Sequence, residues 1–144
     1  MPRRFSELKH EVFARHSNPW SAWSRWLSTP LVLVPAWTRR WSHAAIIAAW
    51  MAANPVIFPR PVDERAWSTR AVLGEELWIS ERPRDTAMAV NAAATLAGVT
   101  AVIAARRHRA APAAGATAVV MALLLVYWRL MARYYDQHRR TSTG

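Results

Sequence analysis

Four long stretches of the sequence carry no charged residue, and they constrain the fold more than any other feature. They are residues 26–38, 41–58, 86–105 and 110–128. A helix rises about 1.5 Å per residue and a bilayer core is about 30 Å thick, so about 20 residues cross it. The third and fourth stretches reach that length and the second comes close. The first does so only if its helix also includes residues 20–25, with Arg25 directed toward the headgroups.

A soluble bundle of apolar helices is the alternative for this composition, in which 53% of the residues are hydrophobic. A soluble helix shows a polar stripe with a period of 3.6 residues. Residues 86–105 and 110–128 show no such stripe. The pattern therefore predicts an all-α integral membrane protein with four transmembrane helices. Their expected ranges are 20–38, 41–58, 86–105 and 110–131.

The remaining segments complete a plan with one membrane domain over residues 18–135. Asn18 followed by Pro19 predicts a helix N-cap and a proline in the first helical turn. Residues 1–17 come before it, and an amphipathic pattern at 5–15 predicts a helix lying on the cytoplasmic membrane surface. Residues 1–26 lack the apolar core of a cleavable signal peptide, so none is expected. Residues 59–85 are expected to form a central loop and residues 136–144 a polar tail.

Lysine and arginine are distributed unevenly among the connecting segments. With four spans and the N-terminus inside, residues 1–25, 59–85 and 129–144 place 14 of the 19 basic side chains in the cytoplasm. The positive-inside rule therefore favours a protein of the cytoplasmic membrane with both termini and the central loop inside. The arginine-rich inner segments are expected to contact anionic headgroups. This plan leaves the run Arg106-Arg107-His108-Arg109 on the outer side, without an explanation.

Small and polar residues within the spans suggest how the helices pack. Alanine recurs every four residues in the third span, which predicts a face where helix backbones approach closely. The positions are Ala89, Ala93, Ala97, Ala101 and Ala105. Asn54 and Asn91 lie near the inner ends of the second and third spans, so they should sit at similar depth. A buried amide without a partner is costly, so we expect the two side chains to pair. The alternative is a polar site at the inner mouth of the bundle.

The central loop is the only connection long enough to hold a site. Trp67, Ala71, Gly74 and Trp78 fall on one face of a short helix, which we expect to lie at the membrane interface. Six of the nine acidic residues are in this loop, but Glu75 and Glu76 are adjacent, and adjacent residues do not face each other on a helix. The chain has no cysteine and its histidines are dispersed, so no metal site and no cofactor are expected.

Several short motifs together resemble a known family. They are residues 16–21 (HSNPWS), Asn54-Pro55, Phe58-Pro59, Trp67, and residues 71–75 (AVLGE) followed by Trp78. Their order is similar to that in an uncharacterised family of small prokaryotic multi-pass membrane proteins, a domain-of-unknown-function family, over roughly residues 15–135. The resemblance implies a helical membrane protein. It implies no reaction, ligand or catalytic residue.

Three functions are compatible with this sequence. The first is a non-catalytic membrane protein, a scaffold or accessory subunit, with a second copy or another membrane protein as partner and no nucleic acid. The second is a membrane enzyme acting on a lipid or prenyl substrate in residues 59–85, with Asp63, Glu75 and Glu76 as metal ligands or bases. The third is an oligomeric small transporter or channel. The sequence favours the first, because it shows no catalytic constellation and no acidic residue within a span.

Overall fold

The structure, a computed structural model, describes residues 14–81 and 84–142, without the side chain of residue 142. Every regular element in these ranges is helical, which confirms the all-α prediction for this part of the chain. The expected amphipathic helix at 5–15 lies almost wholly outside the described residues. The elements are α1 (Pro19–Ser28), a 3-10 turn (Thr29–Val32), α2 (Leu33–Thr38), α3 (Trp41–Ile57), α4 (Trp67–Glu81), α5 (Thr86–Arg106) and α6 (Ala110–Ser142).

Two of the described helices, α5 and α6, are long and apolar enough to cross a membrane. Their starts agree with the two longest uncharged stretches of the sequence. In the most apolar 18-residue window of each helix, 22% of the residues in α5 and 17% in α6 are buried. These helices therefore leave most residues of their apolar windows unburied.

The first expected span is divided into several elements, and the second is one helix that is shorter than about 20 residues. Residues 20–38 divide into α1, the 3-10 turn and α2, because Pro30 lies in the first turn of the 3-10 segment and has no N–H with which to continue α1. The hydroxyls of Ser28 and Thr29 donate to the Arg25 carbonyl, which helps to close the end of α1. The second span, α3, has 17 residues and contains Pro55. Neither segment provides an unbroken helix of about 20 residues.

The chain folds into two compact units rather than one. One unit comprises residues 14–24, 53–81 and 128–142 among those described, and we call it the polar unit. The other comprises residues 25–52 and 84–127, and we call it the alanine unit. The polar unit holds the start of α1 and all of α4, whereas the alanine unit holds α2 and α5.

In the alanine unit, α2 packs against α5 through small side chains. Ala104, Ala105 and Ala113 form the buried cluster, against which Leu33 and Ala36 pack. The expected four-residue alanine face is correct only in its last part, since Ala101 and Ala105 are buried but Ala89 and Ala93 are exposed and Ala97 is half-buried. A four-residue step advances about 40° around a helix of 3.6 residues per turn, so such a run drifts away from a straight contact. The buried set instead includes Ala87, Ala94 and Ala101, and a seven-residue step drifts only about 20°.

In the polar unit, the core consists of small residues and a few larger side chains. Ala22, Ala71, Val72, Met131 and Ala132 are all at most 3% exposed. The helix of the fourth expected span continues past residue 131, through the segment expected to be a polar tail, to Ser142. Contacts that are remote in sequence support this extension, since Asp136 and Arg139 pair with Arg70 and Glu64.

Candidate functional site

Asn54 is one of the fully buried polar residues of the polar unit, with 0% exposure. Its Oδ1 accepts a hydrogen bond from Ser21 Oγ at 2.8 Å, and its Nδ2 donates to Ser24 Oγ at 2.8 Å. Ser21 and Ser24 are one turn apart on α1, so both hydroxyls face the same residue of α3. The amide is thus satisfied at both ends by two serines.

This arrangement corrects the expected pairing of Asn54 with Asn91. The amide of Asn54 takes its partners from α1, while Asn91 belongs to the alanine unit and its side chain is exposed. The sequence gives the depth of a residue along its helix, but not the direction in which that residue points. Ser21 and Ser24 were visible as polar residues in the first expected span, and they were the signal for the correct partner.

Asn18 connects the start of α1 to the end of α3. Its Oδ1 accepts from the backbone N–H of Trp20 at 2.9 Å, which confirms the expected N-cap. Its Nδ2 donates to the Pro59 carbonyl at 2.9 Å. Nearby, Thr69 Oγ1 donates to the Ser17 carbonyl at 2.7 Å, so α4 is also tied to the start of α1. The motifs that carry the family resemblance therefore meet in the polar unit, at a junction of three helices.

Three tryptophans form a cluster beside this junction. The ring of Trp23 lies 6.1 Å from that of Trp67 and 5.6 Å from that of Trp128, and Trp67 and Trp128 are 5.9 Å apart. Two of the pairs meet edge to face, which is a favourable geometry for aromatic rings. Trp67 is therefore in contact with tryptophans of two other helices, and its expected position at the membrane interface stays a prediction.

The face of α4 that carries Trp67 also packs closely against α6. Ala71 is buried, and one turn further Gly74 lies against the backbone of α6 at Met131. A Cβ at Gly74 would stand 2.7 Å from the Met131 carbonyl carbon. Glu75 and Trp78 are half-buried. The face that the sequence indicates is thus real, but its Trp67, Ala71 and Gly74 positions serve packing between helices.

An open, charged cavity of about 890 Å³ lies at the other end of this contact. Arg70 Nη1 donates to both carboxylate oxygens of Asp136, at 2.9 and 3.1 Å. Glu64 accepts from Arg139 at 3.3 Å and from the Tyr135 hydroxyl. Four arginines line the cavity with three acids. The charged lining residues are Asp63, Glu64, Arg65, Arg70, Asp136, Arg139 and Arg140.

A second polar group ties the last turn of α4 to α6. Glu81 accepts from the Tyr134 hydroxyl and contacts His138 Nε2 at 3.0 Å. The Tyr134 hydrogen bond, followed by the positive charge of His138, holds the pKa of Glu81 below its ordinary value of 4.5, although partial desolvation opposes them. His138 Nδ1 lies 3.0 Å from the Tyr134 carbonyl, so the imidazolium form is the one that donates to both acceptors.

The chemistry of the polar unit is dominated by ion pairs and hydrogen bonds between helices. Of the predicted site residues, Asn18, Asn54 and Trp67 lie near one another at the helix junction, Glu75 and Trp78 lie further along α4, and Asn91 is in the other unit. Among residues 14–81 and 84–142, no group of three or more His, Cys, Asp or Glu could hold a metal ion. The sequence reasoning missed Ser21, Ser24, Thr69, Arg70 and Asp136.

Comparison with known proteins places the chain in a family without assigning a reaction. The model of the Family of unknown function (DUF6653) matches residues 1–135. The chain therefore belongs to this family, as the resemblance of its short motifs implied. Neither the comparison with curated proteins nor the comparison with solved structures found a match.

Proposed function

We propose that this member of the family is a multi-pass membrane protein that acts as a scaffold or accessory subunit. The membrane assignment rests on the unburied apolar surface of α5 and α6. Only 22% of the 18-residue apolar window of α5 and 17% of that of α6 is buried. The core helix of a soluble protein would bury most of such a window. Apolar surface of this length needs lipid or another apolar surface around it.

Large apolar side chains are exposed along both helices. Leu96 is 69% exposed, Val99 and Ile103 lie three and seven residues further along α5 and are 51% and 47% exposed, and Val119 of α6 is 50% exposed. Soluble monomers rarely expose a contiguous apolar patch larger than a few hundred Å². A bilayer would cover this surface without demanding any polar complement.

We further propose that the chain crosses the membrane four times, with both termini and residues 59–85 on the cytoplasmic side. The segments that this topology places in the cytoplasm carry 14 of the 19 basic side chains, as the positive-inside rule requires. The broken segment over residues 19–38 would rise about 32 Å, because ten plus six residues are α-helical at about 1.5 Å and four are 3-10 at about 2.0 Å. Its length is therefore compatible with a crossing.

The state of the carboxylates supports a structural role. Asp136 and Glu64 are each paired with an arginine, Glu81 contacts His138, and Glu64 and Glu81 also accept from tyrosines. Asp85 caps α5 through the Met88 N–H. A general base has to be within reach of a substrate proton. These acids instead hold helices in position.

The proposal can be tested on native membranes and on purified protein. After alkaline carbonate extraction, we expect the protein in the membrane pellet. After extraction in a mild detergent, native mass spectrometry should show a stoichiometric assembly, with a second copy or with one other membrane protein. Release by carbonate would overturn the membrane assignment. A monomer that turns over a lipid substrate would overturn the scaffold role.

A lipid or prenyl enzyme is the second candidate, and the charged cavity is the observation that favours it. Asp63 lines this cavity, as a catalytic acid of the central loop would. Glu75 and Glu76 are not among the residues that line it, so the three acids do not converge on one site. If the protein is such an enzyme, Asp63→Asn should abolish turnover of the lipid substrate. If it is a scaffold, the same change should leave its assembly with other subunits intact.

A further inference from the structure

Positive charge is concentrated at one end of the alanine unit. Five arginines lie where α2 ends, where α3 begins and where α5 meets α6: Arg39, Arg40, Arg106, Arg107 and Arg109. Among residues 25–52 and 84–127, the only acid is Asp85, which caps the opposite end of α5, about 30 Å from Arg106 along the helix. No carboxylate of this unit neutralises the cluster.

Two contacts join the connection between α2 and α3 to the connection between α5 and α6. Arg39 adopts a left-handed conformation with φ 54° and ends α2, and its Nη2 donates to the Arg106 carbonyl at 2.9 Å. Trp37 packs edge-on against His108 with ring centroids 4.9 Å apart, which joins the same two connections a second time. Within the described part of the chain, the Arg40 guanidinium makes no hydrogen bond or ion pair. It is available for an anion.

An apolar groove leads away from these arginines. A cavity of about 300 Å³ is lined by Arg39, Arg40 and Arg106 at one end and by Val32 and Val102 at the other. A second cavity, of about 410 Å³, shares Val32 and Val102 and continues past Gly98 between α5 and α6. Both volumes fall in the range of roughly 300–1,000 Å³ that is usual for ligand sites.

The sequence explains why the groove is open. The 3-10 turn at Thr29–Val32 interrupts the α1–α2 segment beside α5. Gly98 has no side chain, and a Cβ there would still be 3.9 Å from the nearest Val120 methyl group. Small residues and a broken helix therefore leave a furrow with an apolar floor and a cationic end.

We infer that this groove binds an anionic phospholipid, with its phosphate at Arg39, Arg40 and Arg106 and an acyl chain along Val32, Val102 and Gly98. The inference rests on the proposed membrane location and names a ligand within it. Guanidinium groups form paired, charge-assisted hydrogen bonds with phosphate. A soluble anion would use the arginines but not the apolar groove, whereas a phospholipid uses both. A bound lipid also gives a role to Arg106, the first residue of the basic run that the positive-inside rule leaves unexplained.

The test is a lipid titration of detergent-purified protein followed by native mass spectrometry. Phosphatidylglycerol should bind at least tenfold more tightly than phosphatidylcholine with the same acyl chains, and sn-glycerol-1-phosphate should bind weakly. The triple change Arg39→Gln, Arg40→Gln and Arg106→Gln should lower the affinity for phosphatidylglycerol at least tenfold. Gly98→Leu should weaken the binding of phosphatidylglycerol, because the added side chain fills the groove. It should leave the binding of glycerol phosphate unchanged.

A matched control separates a site from general attraction to positive charge. The triple change Arg84→Gln, Arg129→Gln and Arg133→Gln removes the same charge from exposed positions elsewhere, and it should leave the affinity within twofold. Circular dichroism and thermal melting verify that each variant is folded. Equal loss in both triple variants, or no preference for phosphatidylglycerol, would overturn the inference. A wild-type protein that resists carbonate but shows no such preference would leave the membrane proposal standing, whereas release by carbonate would remove it.

Discussion

Ser21 Oγ donates a hydrogen bond to Asn54 Oδ1 at 2.8 Å, and both residues are 0% exposed. This pair joins α1 to α3 inside the polar unit. A buried amide that loses its partner costs about 1–3 kcal/mol, more than the net gain of forming the bond. The pair is therefore a position where a small chemical change should have a measurable effect on folding.

Asn54→Leu and Ser21→Ala should each lower the free energy of unfolding by about 1–3 kcal/mol. The double variant should lose less than the sum, because no unsatisfied partner of that bond remains. Thermal and denaturant unfolding in detergent measure the cycle. Asn91→Leu makes the same chemical change at an exposed residue and should stay within about 0.5 kcal/mol of wild type. An equal effect of Asn54→Leu and Asn91→Leu would contradict the arrangement.

Gly74→Ala should destabilise strongly, since the added Cβ meets backbone atoms of Met131, which cannot rotate away. We expect a loss of at least about 1–3 kcal/mol, the usual range for overpacking. Gly115→Ala is the matched control, because nothing lies within 4 Å of a Cβ there, and alanine is about 1 kcal/mol better than glycine inside a helix. The control should be neutral or stabilising. If both variants melted at the same temperature, α4 and α6 would not approach as described.

The Arg70–Asp136 pair should contribute more to stability than the Arg65–Asp63 pair. Arg70 contacts both carboxylate oxygens of Asp136, and the side chains of this pair are 32% and 38% exposed. Arg65 and Asp63 are 3.6 Å apart, and their side chains are 90% and 52% exposed. Double-mutant cycles with Arg→Gln and Asp→Asn should give a coupling of about 1 kcal/mol for the first pair and about 0–0.5 kcal/mol for the second. A larger coupling in the exposed pair would rule out this ranking.

The contact of Glu81 with Tyr134 and His138 should make the polar unit sensitive to acid. Because the pKa of Glu81 is lowered in the folded state, its stabilising contribution is complete above about 4.5 and is lost as the pH falls through the lowered value. Melting temperatures of wild type and Glu81→Gln, measured from pH 3 to pH 7, should differ most at neutral pH and converge in acid. A difference that grows toward low pH would have the wrong sign.

The helices that could be predicted from the sequence are those marked by a long stretch without charged residues. Residues 86–105 were expected as a span because an uncharged run of about 20 residues is typical of a membrane-spanning helix. The helix α5 covers Thr86–Arg106. The fourth span was expected to end near 131 because charge resumes there. The helix nevertheless continues to Ser142, held by partners such as Arg70 and Glu64 that are more than 60 residues away. Periodicity along one helix carries no information on such partners.

The candidate site was less predictable for the same reason. Asn18 was assigned correctly, because an N-cap is a local interaction with the next two residues. Asn54 was recognised as a buried polar residue, but its partner was not, since depth in the membrane does not fix the side of the helix. The alanine repeat failed over its first half because a spacing of four residues rotates around a helix.

Single-cysteine labelling tests the central claim most directly, and the chain provides a clean background because it has no cysteine. Ser80→Cys places the thiol at an exposed position near the end of α4, and Arg107→Cys places it at an exposed position between α5 and α6. Ser142→Cys would report on the C-terminal end in the same way. In intact cells an impermeant maleimide should label Arg107→Cys but not Ser80→Cys, which should react only after permeabilisation. Labelling of Ser80→Cys in intact cells would contradict the four-crossing arrangement with residues 59–85 in the cytoplasm.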